Sequence, residues 1–192
     1  MKEILAFIAS LLAISGYLPY LIKSIKNKVT PHPYTWFVWS IISAITLIGQ
    51  IVKGAGIGAL PTAIAEILTI SIFFASLKHG FIYIKKSDTY FLILSLLGLI
   101  PWIIFRDPTI SVIIAVTVDV IAFTPTFRKS WEHPATESKA VYSTNVIRHI
   151  ISLFSLRTYN IATTLHSMSM IITNTATTLI LQFSNKKTKI SN

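Results

Sequence analysis

A chain of 192 residues that is 53% hydrophobic and only 12% charged, with a mean hydropathy of +0.66, cannot hide its apolar surface in a water-soluble core of this size. The net charge of +10 would suit nucleic acid only as a continuous basic face, whereas here the lysines and arginines sit in short groups between apolar runs, as membrane-flanking charges do. The absence of cysteine excludes a disulfide scaffold, a thiolate metal site and a cysteine nucleophile.

A membrane-spanning helix needs about 20 mostly apolar residues, because its backbone must be hydrogen-bonded within the segment. In chain order the sequence predicts seven, over residues 4–22, 34–52, 57–77, 89–105, 109–127, 140–156 and 159–183. The first follows only Lys2 and Glu3 and ends in Tyr17-Leu18-Pro19-Tyr20 with no small-residue cleavage site, so it reads as a span and not as a signal peptide. The connectors carry turn chemistry, as in Lys53-Gly54-Ala55-Gly56 and Arg106-Asp107-Pro108. Twelve of the 17 basic residues fall on one set of alternate connectors and four on the other, with Arg148 inside the sixth span. Positive residues gather on the cytoplasmic side, so the expectation is an outer N-terminus, a cytoplasmic C-terminus and a Lys-rich tail, 184–192, acting as a stop-transfer anchor.

Sliding the chain on itself by 106 residues brings Pro19 onto Pro125, Lys23 onto Lys129, Ser24 onto Ser130 and Thr30 onto Thr136, with Ile41, Ile45 and Leu47 meeting Ile147, Ile151 and Leu153. Polar and proline matches at one spacing are more than shared apolar composition supplies, and they point to an internal duplication. The expected fold is therefore all-α integral membrane, with two parallel three-helix repeats joined by a linker helix. Residues 1–77 form the first repeat, 78–108 the linker with its flanking loops, 109–183 the second repeat and 184–192 the basic tail.

Proline within a helix removes a backbone hydrogen bond and clashes with the preceding turn, so Pro19 and Pro125 are candidate hinges at matching places. Charges deep in a bilayer cost about 2.5 to 3.5 kcal/mol each on insertion scales, which makes Glu66, Asp119 and Arg148 functional candidates. Arg148 can neutralise one carboxylate but hardly both, and the alternative to a functional Asp119 is a salt bridge from Asp119 to Arg148 that fixes two helices. The remaining carboxylate, Asp119 or Glu66, is the candidate for proton coupling. Pockets for polar solutes combine a few polar groups with flat apolar walls, and Trp39, which the offset sets opposite Asn145, fits such a wall. Trp36, opposite Tyr142, is expected in an interfacial aromatic belt. The hydroxyl-rich seventh span, with His166 and Asn174 among its polar residues, should face other helices or a wet cavity, most of its hydroxyls serving packing. His32, His79 and His133 lie in or near connectors and are expected to be solvated.

The segments Pro19-Tyr20-Leu21-Ile22-Lys23-Ser24 and Pro125-Thr126-Phe127-Arg128-Lys129-Ser130, within the three-one-three layout, resemble the paired PQ-loop motifs of the SWEET, SemiSWEET and cystinosin-like transporters. Tyr20 and Thr126 stand where that family often has glutamine. The resemblance implies transport of a small polar metabolite by alternating access, with the two prolines permitting the bundles to rock. It also implies a proton-coupling carboxylate near Asp119, and a sugar-carrier pairing of tryptophan with asparagine to which Trp39, Asn145 and Asn174 correspond. Glu66 stands nearest the place of a further asparagine, which moves the expectation from a facilitative sugar carrier toward a charged or proton-coupled substrate. A non-transporting receptor or assembly factor on the same frame is the alternative of another class. The substrate-binding set is then Trp39, Asn145, Asn174, Glu66 and Arg148. No phosphate-cradling loop, metal-binding histidine pair or nucleophile elbow is present, so no enzyme, cofactor or metal is expected. The expected partners are a small solute, protons and the lipid of a prokaryotic plasma membrane, with no nucleic acid.

Overall fold

The computed structural model describes residues 1–98, 104 and 107–190. Among them lie seven α-helices, three short 3-10 turns and no strand. The helices are α1 (Lys2–Ile25), α2 (Pro33–Val52), α3 (Leu60–Ser76), α4 (Lys86–Gly98), α5 (Pro108–Glu132), α6 (Lys139–Ser155) and α7 (Ile161–Ile190). The end of the expected fourth span, Arg106 and the last two residues of the tail lie outside the described residues.

Local chemistry sets the ends. Helix α1 carries Glu3 in its first turn and Lys23 in its last, matching the helix dipole. It stops in a Schellman motif: Asn27 takes φ 55°, its amide donates to the Ser24 carbonyl at 3.0 Å, and the Lys28 amide donates to the Lys23 carbonyl at 2.8 Å. Helix α2 begins at Pro33, whose missing N–H costs nothing at that position, and closes with the same motif on Gly54 at φ 81°. Helix α5 is capped by Asp107, whose Oδ1 accepts from the amides of Thr109 and Ile110 at 2.8 and 2.9 Å, with Pro108 following.

Four stretches, Lys2–Ile25, Pro33–Val52, Gly56–Ser76 and Pro108–Glu132, are long and apolar enough to cross a membrane. Helices α6 and α7 are more polar because their inner faces carry Asn145, Arg148, His149, His166 and Asn174, all buried. Their outer faces remain apolar, with Ile147, Ile150 and Phe154 on α6 and Met168, Ile172, Leu179 and Phe183 on α7 exposed at helical spacing. Helix α1 presents a similar stripe through Ile4, Phe7, Leu11, Leu18 and Ile22. Greasy outside and polar within is the reverse of a water-soluble bundle and fits a membrane environment.

The helices close into a ring. Helix α3 packs against both α1 and α2, α7 packs against both α5 and α6, and the ring is completed by α1 on α6 and α2 on α5. Helix α4 lies outside it, against α5 and α2. Exchanging α1, α2 and α3 for α5, α6 and α7 carries each of these ring contacts onto another one. A backbone hydrogen bond, Thr30 N–H to the Thr136 carbonyl at 2.9 Å, joins two residues that the 106-residue offset pairs. One end of the bundle gathers Lys2, Lys53 and Arg157, where Lys2 Nζ donates to the Leu156 carbonyl at 2.5 Å and Asn160 reaches the Lys53 carbonyl at 3.4 Å. The other gathers the connectors around residues 26–32, 78–88 and 128–139.

Candidate functional site

Midway along the ring a small cavity of about 20 Å³, room for about one water, is enclosed by α1, α2, α3, α5, α6 and α7. Trp39, Asp119 and Arg148 line it, together with Tyr17, Ser43, Thr62, Thr69, His166 and Met170. Trp39 packs edge-on to Trp36 with centroids 5.0 Å apart and against Phe123 at 4.4 Å, so its ring is held from two sides. Asp119 is 1% exposed, and its Oδ2 has no hydrogen-bond partner.

Asp119 and Arg148 share the cavity, but among the described residues no ion pair joins them, so the salt-bridge alternative is not realised. Arg148 is held by other groups. Its Nε donates to Asn145 Oδ1 at 3.0 Å, Nη2 lies 2.5 Å from His149 Nε2, Nη1 reaches the Pro61 carbonyl at 3.5 Å, and the guanidinium lies over the Tyr17 ring at 5.8 Å. Four groups from α1, α3 and α6 fix the guanidinium, while the carboxylate across the cavity stays free.

Asn145 and Asn174 stand behind this wall, outside the cavity lining. Asn145 Nδ2 donates to Tyr17 Oη at 2.9 Å and to Asn174 Oδ1 at 3.4 Å, so the two expected substrate ligands form one buried network that positions Arg148. Glu66 is placed elsewhere. Thr62, Ala65 and Thr69 turn toward the cavity, whereas Glu66 lies about a quarter turn round α3 and faces α2. Trp36 is not in an interfacial belt: it is 1% exposed and stacks on Tyr20 at 5.5 Å, because α2 presents this face to α1 and not to lipid.

Tyr17 and His166 were not singled out as site residues by sequence reasoning. His166, Met170 and Asn174 recur at four-residue spacing and so share a helical face, the one signal that pointed there. The His149 and His166 rings lie 5.6 Å apart, and His149 Nδ1 is 3.3 Å from Ser167 Oγ. Among the described residues no group of three or more His, Asp or Glu side chains converges as a metal ion would require.

Pro19 and Pro125 lie inside α1 and α5, between the cavity and the lysine-rich end. Just beyond them the bundle is bolted by two buried carboxylates. Glu137 accepts from Lys129 Nζ at 2.8 Å, from Tyr20 Oη at 2.8 Å and from Tyr142 Oη at 3.2 Å. The side chains of Lys129 and Glu137 are 0% and 1% exposed. Asp88 pairs with Arg128 at 2.5 Å and with His32 Nε2 at 3.1 Å and accepts the Lys85 amide at 2.8 Å. Burial alone would raise the Asp88 carboxyl, but the hydrogen bonds from His32, Arg128 and the Lys85 amide outweigh it and hold it well below the usual carboxylate range. His32 is thus wholly buried, not solvated as expected, because the start of α4 folds over it.

The chain matches no protein-family model, no curated protein and no solved structure. What the site can do therefore follows from its own chemistry. A fixed cation, a free carboxylate and an indole face meet at a closed cavity. That arrangement suits a small polar molecule with a carboxylate for Arg148 and either an ammonium or a proton for Asp119.

Proposed function

We propose that the chain is a transporter of small polar metabolites with seven membrane spans in a three-one-three layout, of the PQ-loop kind, working by alternating access and coupled to protons through Asp119. The observation that carries this reading is the buried, unpaired Asp119 carboxylate facing the same cavity as Arg148 and Trp39. Placing a charge there without a partner costs several kcal/mol, and such a group is retained where it binds an ion, a proton or a substrate.

The ring of helices supports the same reading. Its contacts interchange when the first three helices are swapped for the last three, as two parallel repeats about a pseudo-two-fold axis require, and α4 stands apart as a linker would. The two prolines lie between the cavity and the bolted end, where a bend in α1 and α5 would part Tyr20 from Glu137. A cavity holding about one water is too small for such a solute, so on this reading the bundle is the closed member of the cycle and loading requires the halves to rock apart. The alternating basic charge orients the lysine-rich end toward the cytoplasm, with the N-terminus outside.

The test is thermal stabilisation of the purified protein by a panel of amino acids, organic acids, vitamins and sugars, read between pH 5 and 8, followed by flux of any hit into proteoliposomes with and without a proton gradient. The expected result is one carboxylate-bearing class that stabilises the wild type, with the effect lost in Trp39→Ala and proton-driven flux lost in Asp119→Asn. A sugar hit insensitive to Asp119→Asn would replace this reading by facilitated sugar exchange. A folded protein silent to the whole panel would replace it by a receptor or assembly role.

A further inference from the structure

Glu66, which the central cavity does not use, lines a second and larger recess. Between α2 and α3 an open groove of about 460 Å³ is walled by Phe37, Ile41, Ile45, Phe73 and Phe74, with Glu66 as its one acidic group. Its size lies in the range of sites for drug-sized molecules. Glu66 is 7% exposed, yet neither carboxylate oxygen accepts a well-formed hydrogen bond, the Ser43 hydroxyl of α2 offering only a weak one, and no ion pair among the described residues involves it. Ile48 and Phe74 at the rim are strongly exposed, so the groove opens sideways from the bundle, on the outer surface that the proposed membrane reading assigns to lipid.

We propose that this groove is a second binding site, separate from the central cavity, for a lipophilic amine that enters from the bilayer. The charge arithmetic selects the amine. An ionised carboxylate is acceptor-only, and no basic side chain among the described residues pairs with it, so the ligand must bring the cation and its N–H donors. An anionic amphiphile finds only repulsion there, and a neutral one leaves the carboxylate uncompensated in an apolar recess. The Phe37 and Phe73 rings, 5.3 Å apart and tilted, add faces that attract a cation and bury an alkyl or aryl body.

The experiment uses the whole chain in phosphatidylcholine nanodiscs, with 4-phenylbutylamine as probe and 4-phenylbutanol as its uncharged match. The amine should raise the unfolding midpoint in the wild type and in Asp119→Asn, and the alcohol should not. In Glu66→Gln the shift should disappear. To keep the test independent of that variant's folding, the unaltered protein is also treated with dicyclohexylcarbodiimide in the presence of the amine. The carbodiimide activates the carboxyl, the amine nitrogen attacks the acyl carbon, and the dicyclohexylurea leaves, so an amide forms where amine and carboxyl already meet. Peptide mass spectrometry should place that amide on Glu66 ahead of every other carboxyl. An equal midpoint shift with the alcohol or in Glu66→Gln, or coupling spread over exposed carboxyls with none on Glu66, overturns the proposal. Loss of the shift in Asp119→Asn would also overturn it, by assigning the amine to the central cavity.

Discussion

The Tyr20 hydroxyl is the contact through which the proposed closure can be tested most selectively. Of the three donors on Glu137, Lys129 and Tyr142 come from α5 and α6, the same side of the ring as Glu137, while Tyr20 comes from α1 across it. Of these three, rocking the halves apart breaks only the Tyr20 bond, together with the Thr30–Thr136 backbone bond that also joins the halves at this end. A hydrogen bond to a buried charged group is worth about 1.5 to 3 kcal/mol. Tyr20→Phe keeps the ring stacked on Trp36 and removes that bond, so it should shift the closed-to-open balance by about ten- to a hundredfold. The chain has no native cysteine, so a reporter thiol is unambiguous. Thr126→Cys places it one turn inward of Lys129, at a position 1% exposed with its hydroxyl unpartnered. The rate of its modification by a membrane-impermeant methanethiosulfonate should rise by that factor in the Tyr20→Phe background. A second reporter, Ser155→Cys near the opposite end and wholly buried, should not speed up. Unchanged labelling of Thr126→Cys, with complete labelling in denaturant, refutes the closure; a parallel rise at both reporters shows general loosening and refutes it equally.

Two further outcomes concern the bolted end. Replacing Asp88 by Asn removes the carboxylate that pairs with Arg128 and His32, and should cost about 3 kcal/mol in reversible unfolding at neutral pH. The folded carboxyl is held below its unfolded value of about 3.9, so its contribution is complete above that pH and fades only as pH falls further; the two unfolding curves should converge only below about pH 4. Separately, a Cβ at Gly80 would lie 2.6 Å from the Pro31 carbonyl oxygen and 2.5 Å from the Pro33 ring, neither of which can swing aside. Gly80→Ala should lower stability by about 1 to 3 kcal/mol, and an unmoved denaturation midpoint would show that the Pro31–Pro33 segment yields to the added methyl.

Hydropathy and charge made depth along the bundle legible, and left position around each helix largely unreadable. Helices α2, α5 and α6 begin and end within a few residues of the apolar limits, except where α5 runs on through its basic turn to Glu132. Glu66, Asp119 and Arg148 all lie near the middle of their helices, as the sequence indicates. Which way each points depends on the neighbour it meets, and periodicity cannot say which neighbour that is. Hence Glu66 turns to the α2–α3 groove, Trp36 turns inward onto Tyr20, and Arg148 is taken up by Asn145 and His149 before it can reach Asp119. The Asp88 cluster was hidden for a related reason: its partners His32 and Arg128 lie 56 and 40 residues away in the chain.

The same reasoning explains why the offset match is weak where the chemistry is strong. Asp119, Lys129, Glu137 and Arg148 all belong to α5, α6 and the turn between them, while Tyr17, Tyr20, Trp36 and Trp39 come from α1 and α2. The offset sets Asp119 against Ala13 and Trp39 against Asn145. Under the proposed duplication, one half has kept the charges and the other the aromatic faces, and each half supplies what the other lacks at the common cavity. A buried charge needs a shaped, dry surround more than it needs a twin. Ala13 is wholly buried and lies outside the cavity lining, so an aspartate there would be a second buried charge with no ligand to meet. If the proposed duplication holds, divergence at these positions is what a single asymmetric site in a symmetric frame demands, and the matches fall where the frame itself needs them, at Pro19 and Pro125 and at the Thr30–Thr136 hydrogen bond.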